Sequence, residues 1–248
     1  MSTRRINMNE KPVLIQGAMQ IEVELLIENL TEAEKVIING YEFYKGKIKD
    51  VSVVISRTKV GMVNASVATI LGINTFNPKC IINQGVAGGH DGNVHKGDIV
   101  IGEFVSNMNA YKTANLKKGE GSCFESWKLM TFNEGNNIEK EKIVGDITLV
   151  NTFYTFLKDN FNVHKGTIVS GDGWNKEYDR IAWYISELNS LAEDMETYSV
   201  YKICRDNNVP VLGVRMISNS EINEESYDRE LGKKLQENII KMIVDKVF

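Results

Sequence analysis

Glu22 closes the segment GAMQIE (17–22), where an apolar run ends in a Gly-Ala turn and a helical pattern begins. In open α/β sheets ligands bind beyond the carboxyl ends of strands, so this carboxylate stands at a ligand's mouth. An acid in a first helical turn also stabilises the helix N-terminus, and the local sequence alone does not choose between the two. A second apolar run ends in NQGVAGGHDGNVHKGDIVIG (83–102). Its glycines, Gly85, Gly88 and Gly89, let the backbone approach a ligand and present its N–H groups, with Val86, Ala87 and Gly88 as the candidate binding positions. The spacing is neither a P-loop nor G-x-G-x-x-G. His90, Asp91 and His95 lack a third strong ligand at metal-site spacing, so a solvated loop and no metal are expected there.

Trp174 lies on a glycine-flanked loop, IVSGDGW (168–174), followed by Asn175. It is either a core plug or a stacking platform for a planar ligand. In the last such segment Asp194 and Glu196 flank Met195 where a strand meets a helix, and the next strand carries Arg215 and ends at Ser218-Asn219. An Arg in an apolar strand needs a partner, because an unpaired buried charge is costly. It reads as a structural ion pair, with Glu196 as the candidate partner, or as an anion or water clamp.

These residues need strands that end near one another. The three prolines, Pro12, Pro78 and Pro210, each precede a short apolar run, as expected of buried strands in a largely parallel sheet. Helical patterns are predicted over 22–30, 62–73, 196–207 and 224–247. The last repeats Leu231, Leu235, Ile239, Ile243 and Val247 every four residues. Residues 41–56 read as a hairpin. Alternating strands and helices with one hairpin predict an α/β fold, a single three-layer domain over 11–248 with a central mixed β-sheet flanked by helices. Residues 1–10 are predicted to be a flexible tail.

Composition agrees. The chain has 248 residues, 42% of them hydrophobic and 25% charged, with a formal net charge of −4. That excludes a disordered or collagen-like chain, and a mildly acidic protein lacks the basic footprint of nucleic-acid binding. No apolar run is long enough to span a membrane and no secretory signal is visible. Cys80, Cys123 and Cys204 are far apart and odd in number, which predicts reduced thiols and a cytoplasmic location.

The order of the four segments resembles the purine nucleoside phosphorylase/nucleosidase superfamily, and within it the 5′-methylthioadenosine/S-adenosylhomocysteine nucleosidases. GAMQIEV is similar to that family's GAMEEEV, NQGVAGG…KGDIVIG to NTGSAGG…VGDIVVS, GTIVSGDGW to GLIVSGDAF, and EDMET…NNVPVLGVRMISN to VEMEA…FNVPFVVVRAISD. The likeness runs from about Val13 to the C-terminal helix and is poor between Asn107 and Glu141. It implies a nucleoside phosphorylase-like fold, usually a homodimer, that cleaves the N-glycosidic bond of a small-molecule purine nucleoside with no metal or organic cofactor, as in purine salvage.

The resemblance also implies roles. Glu22 matches the carboxylate that polarises the attacking water and Glu196 the one that grips the ribose hydroxyls. Met195 matches a methionine packed on the sugar, and Trp174 an aromatic residue stacked on the purine. Ala87 and Gly88 match backbone positions near base and sugar, and Arg215 an arginine near the nucleophile. The neighbouring Val86, Asn175 and Asp194 are expected at the substrate as well.

Three departures stand out. The family's base-side Asp is Asn219, its glycine-loop Ser is Val86, and the segment after the GDIV-type strand is unlike the family's. Asn219 offers one acceptor and one donor, which suits a 6-oxopurine better than a 6-aminopurine. Three functions follow: a hydrolytic purine nucleosidase, a phosphate-dependent phosphorylase with Arg57 as a candidate phosphate ligand, or a catalytically weak nucleoside-binding protein.

Overall fold

The structure, a computed structural model, describes residues 11–121 and 124–247; the expected tail over 1–10 and Cys123 lie outside them. Along the chain run β1 (Val13–Gly17), α1 (Glu24–Glu28), β2 (Thr31–Ile38), β3 (Tyr41–Ile48), β4 (Val51–Arg57), α2 (Met62–Phe76) and β5 (Cys80–Gly89). There follow β6 (Ile99–Asn107), β7 (Tyr111–Lys112), β8 (Lys128–Thr131), β9 (Ile138–Glu139), β10 (Ile143–Val144) and α3 (Ile147–Leu157). The chain continues with β11 (Val163–Ser170), α4 (Tyr178–Leu188), β12 (Ser190–Asp194), α5 (Thr197–Asp206), β13 (Val211–Ser220) and α6 (Leu231–Val244).

Ten strands form one mixed sheet in the order β10-β6-β11-β12-β5-β1-β4-β3-β2, with β13 bridging β5 and β6. Through β13 the pairings β6–β11, β11–β12, β12–β5, β5–β13 and β13–β6 close into a ring. The strands β1, β5 and β13 begin within two residues of Pro12, Pro78 and Pro210, where a missing N–H costs no ladder bond. The parallel pairs β1–β5 and β5–β13 then bring three motif-bearing strand ends to one edge.

Alternation along the strands sorts the core into two faces. Val13 and Ile15 join Leu26 of α1, Phe153 of α3 and Ile239 of α6 on one side. Leu14 meets Ala65 of α2 and Val200 and Tyr201 of α5 on the other. The result is a three-layer α/β fold. The region unlike the family, 107–141, holds the small sheet β7-β8-β9, beside which Trp183, Tyr184 and Leu188 of α4 pack on Met108 and Leu129.

Two helices start later than their patterns suggest. Glu22 belongs to a 3-10 turn, Gln20–Glu22, ahead of α1. The last helix begins at Leu231 rather than near 224, because Ser220 and Glu225 exchange backbone hydrogen bonds and Asp228 N–H donates to Ser218 O at 2.9 Å. Tyr227 therefore lies on a pinned loop.

Candidate active site

Several strand ends open on a cavity of about 170 Å³. From the first loop come Ala18, Met19 and Glu22; from the end of β5, Val86, Ala87 and Gly88; from the loop after β11, Gly173 and Trp174. The end of β12 and the turn after it supply Glu193, Asp194, Met195 and Glu196; Ser218 and Asn219 end β13, and Val60 and Tyr227 complete the wall. Of the residues expected at the site, Arg215 and Asn175 do not line the cavity.

Glu22 is buried, and its carboxylate is gripped by backbone. Oε2 accepts from Ala18 N at 2.8 Å and Met19 N at 2.9 Å, and Oε1 from Val86 N at 3.0 Å. A carboxylate has about four acceptor sites, so one remains, on Oε1. Gly85 makes room there: a Cβ at that position would lie 2.5 Å from Glu22 Oε1. Burial raises the carboxyl above its ordinary range, against the lowering effect of Met19 and Val86 N–H, of the Arg215 charge and of Ala18 N–H.

Glu196 sits at the start of α5, and its Oε1 accepts from Gly61 N at 2.9 Å. Burial also pushes this carboxyl well up, the negative Asp194 and Glu22 add to the rise, and Arg215 opposes it. Four acidic side chains, Glu22, Glu193, Asp194 and Glu196, thus line one cavity with no Lys or Arg among its described lining residues.

Asp194 and Arg215 hold each other. Arg215, fully inside β13, has Nε and Nη2 each 2.8 Å from Asp194 Oδ2. Its other donors go to Asn83 O at 2.8 Å, Val214 O at 3.1 Å, Asn83 Oδ1 and Thr197 Oγ1 at 2.7 Å. The ion-pair partner is Asp194, not the expected Glu196, because Arg215 points inward from the sheet while Glu196 turns out to the cavity. Asp194 Oδ1 further accepts from Ser170 Oγ at 2.5 Å and from Glu196 N and Thr197 N, both at 3.2 Å. Both side chains act through their neighbours: they hold the β12–α5 corner that presents Glu196.

Trp174 is 54% exposed and meets Tyr227 edge-on at 5.4 Å, so it is no core plug. At Asn219, Oδ1 lies 2.9 Å from Ser218 Oγ, whose one hydroxyl proton is shared with Ala87 O at 3.1 Å, and the amide NH₂ lies towards Gly88. The expected solvated loop holds for His95, which pairs with Glu225, but not for His90, which is 1% exposed. Its backbone N–H donates to Leu191 O, extending the β5–β12 ladder inward. Among the described residues no cluster of three or more His, Cys, Asp or Glu side chains has metal-site geometry. Sequence reasoning passed over Glu193, Tyr227 and Met19. The two adjacent acids ending the apolar strand SLAED were the available signal for Glu193.

A family model described as phosphorylase superfamily matches residues 12–245. The chain is 30% identical over 239 residues to a 5′-methylthioadenosine/S-adenosylhomocysteine nucleosidase of Staphylococcus haemolyticus (strain JCSC1435), covering 92% of this chain and 99% of that one. A nucleosidase of the same name from an Exiguobacterium strain is 30% identical over 218 residues, 85% of each chain. Among solved structures, the Colwellia psychrerythraea 34H nucleosidase in complex with adenine superposes with a TM-score of 0.77 at 23% identity, over 95% of this chain and 96% of that one. The futalosine hydrolase of Helicobacter pylori strain 26695 gives 0.79 at 21% identity, over 95% and 98%. These two share the fold.

Proposed function

Since the chain belongs to the phosphorylase superfamily, we propose that it acts as a hydrolytic purine nucleosidase with a preference for 6-oxopurine nucleosides. The observation that carries this reading is Glu22: a buried carboxylate that lines the cavity beside three other acidic side chains and, held by three backbone donors, keeps one acceptor site. That free site suits a water molecule. As the C1′–N9 bond breaks, its electron pair goes to the purine and the sugar gains oxocarbenium character. The water oxygen bonds to C1′ and its proton goes to Glu22, a base whose raised pKa favours that transfer. Nearby carboxylates stabilise the developing positive charge. Glu196 accepts from the ribose hydroxyls and fixes the sugar for attack.

The base is held by Trp174, through stacking, and by Asn219. With Oδ1 turned to Ser218, the Asn219 NH₂ donates to O6 or N7 of a 6-oxopurine and supports the leaving anion, which then takes a proton from solvent. Against adenine the same NH₂ meets the donor face of the exocyclic amine, a mismatch of about 1–3 kcal/mol. Phosphorolysis fits less well. Inorganic phosphate would enter a cavity lined by four acidic side chains and no cationic residue among those described. Arg57, the candidate phosphate ligand, is paired with Glu42 at 2.9 Å.

A nucleoside panel assayed for free base, in phosphate-free buffer and again with phosphate, tests the reading. Base release from inosine-type substrates without phosphate is expected, and Asn219→Asp is expected to move the preference towards adenosine-type substrates. Strict phosphate dependence, or an adenine-type preference unchanged by the substitution, refutes it.

A further inference from the structure

We infer that Glu193 is the acceptor that reads the N1–H edge of the base, a specificity-determining residue that completes the site begun by Asn219. The inference rests on the purine reading above and deepens it. In the β5–β12 ladder Glu193 stands opposite Gly88, and in the β5–β13 ladder Asn219 stands opposite the same Gly88. Residues opposite one another in a sheet point to one face, and neighbouring strands lie about 4.8 Å apart. Glu193 and Asn219 therefore flank Gly88 with their α-carbons roughly 10 Å apart. Gly88 sends nothing up between them: a Cβ there would stand 3.5 Å from both Asn219 Nδ2 and Glu193 Cγ. All three line the cavity with Trp174. The slot has an amide donor on one wall and a carboxylate on the other.

That polarity matches one class of purine. On the six-membered ring of a 6-oxopurine, the O6 acceptor is adjacent to the N1–H donor, and guanine adds a 2-amino donor beside N1. A 6-aminopurine inverts both positions, setting a lone pair at N1 against the carboxylate. The Glu193 carboxylate is prepared as an acceptor. Asn175 donates its backbone N–H to Oε1 at 2.9 Å and its Nδ2 to Oε2 at 2.7 Å. His90 Nε2 stands 3.2 Å from Oε2, off the hydrogen-bond axis. With about four acceptor sites, two taken by Asn175 and His90 standing against Oε2, acceptor capacity remains on Oε1 for the base. Asn175 is then a positioning residue that acts through Glu193.

The competing role for Glu193 is purely structural, a clamp on the Trp174–Asn175 loop. Binding of free hypoxanthine, 1-methylhypoxanthine and adenine to the intact protein, followed by calorimetry in wild type, Glu193→Gln and Glu193→Ala, separates the two. Wild type is expected to bind hypoxanthine at least tenfold more tightly than either other base. In both variants those ratios are expected to shrink to within about threefold. Equal binding of hypoxanthine and 1-methylhypoxanthine by wild type overturns the inference without any variant. So does an equal loss for all three bases, which is the signature of a clamp. Base release with indifference to the N1 methyl group sinks the Glu193 assignment and leaves the nucleosidase standing. N1 discrimination in binding without base release from any nucleoside does the reverse.

Discussion

Replacing Glu22 with Gln separates what the carboxylate does for the reaction from what it does for the fold. The carboxylate answers three backbone donors, Ala18, Met19 and Val86. A glutamine oxygen can serve Ala18 and Met19, but its NH₂ then faces the Val86 N–H and leaves that donor unpaired, at a cost of about 1–3 kcal/mol. Part of this is offset, because a neutral amide escapes the desolvation that raises the Glu22 pKa. At roughly 2–4 °C per kcal/mol for a chain of this size, the melting temperature is expected to fall by no more than about 10 °C. The chemical loss is larger and of a different kind. Removing a general base lowers kcat about 10²–10⁴-fold, or roughly 3–5 kcal/mol of barrier. Single-turnover base release well below the melting point reads the chemical effect, and free-base affinity, expected within a few-fold of wild type, reads the integrity of the pocket. A kcat within about fivefold of wild type removes Glu22 from the mechanism. A rate loss matched by an equal loss of base affinity assigns the effect to the Ala18–Glu22 loop.

Trp174→Ala is expected to weaken base binding by about 1–3 kcal/mol, the scale of base–aromatic stacking, and to abolish most of the ligand-induced change in tryptophan fluorescence; unchanged affinity refutes the platform. Arg215→Met leaves Asp194 buried without its cation and is expected to cost about 3–5 kcal/mol in denaturant titration, with partial recovery in the Asp194→Asn/Arg215→Met double variant. No recovery would mean the pair is not the source of the loss. Glu196 is held above its ordinary pKa, so the folded chain keeps a proton that the unfolded chain releases. Its contribution to stability is present below the ordinary glutamate value of about 4.3 and is lost as pH rises through the raised folded value. The stability difference between wild type and Glu196→Gln, followed from pH 4 to 9 in the ligand-free protein, should therefore move against wild type as pH rises; a flat difference contradicts it.

The strands that carry the motifs were legible because proline, a short apolar run and a glycine turn coincide at β1 and β5, and proline and an apolar run at β13. Helix α5 was legible from its amphipathic spacing. By contrast β2, TEAEKVII, is mostly exposed and richly charged, so its strand state comes from pairing with β3 rather than from its own pattern. Tyr227 was hidden for a similar reason: EESYDRE suits a helix, and backbone bonds to β13, with the contacts of Glu225 to His95 and Lys96, hold it as a loop over Trp174. Asn219 and Glu196 stood out by residue type at strand and helix ends. Glu193 gained its meaning only from register, because sharing Gly88 with Asn219 is a relation between strands over 20 residues apart. Arg215 announced that a partner existed, but two acids two residues apart differ only in which way the β12–α5 corner turns them.

Gln236 in α6 makes the fastening of the turn around Glu22 a late event in the life of each molecule. Its Oε1 accepts from Leu25 N at 3.0 Å across 211 residues of sequence, and its Nε2 donates to Ile21 O at 2.7 Å. Helix α6 also rests on Glu22 itself: a Cβ at Gly232 would stand 3.5 Å from Glu22 Cγ. During synthesis at roughly 5–20 residues per second, the loop bearing Glu22 waits about 10–40 s for the residue that fastens it. The nascent chain can pair β1 with β4 and β5 in that interval and can offer the Glu22 carboxylate its Ala18, Met19 and Val86 donors, yet the turn that carries it lacks its α6 anchor until the last helix arrives. The last helix thus fastens a turn formed from the first strand, and a ribosome stalled before α6 carries a partly built sheet whose Glu22 turn lacks the Gln236 clamp.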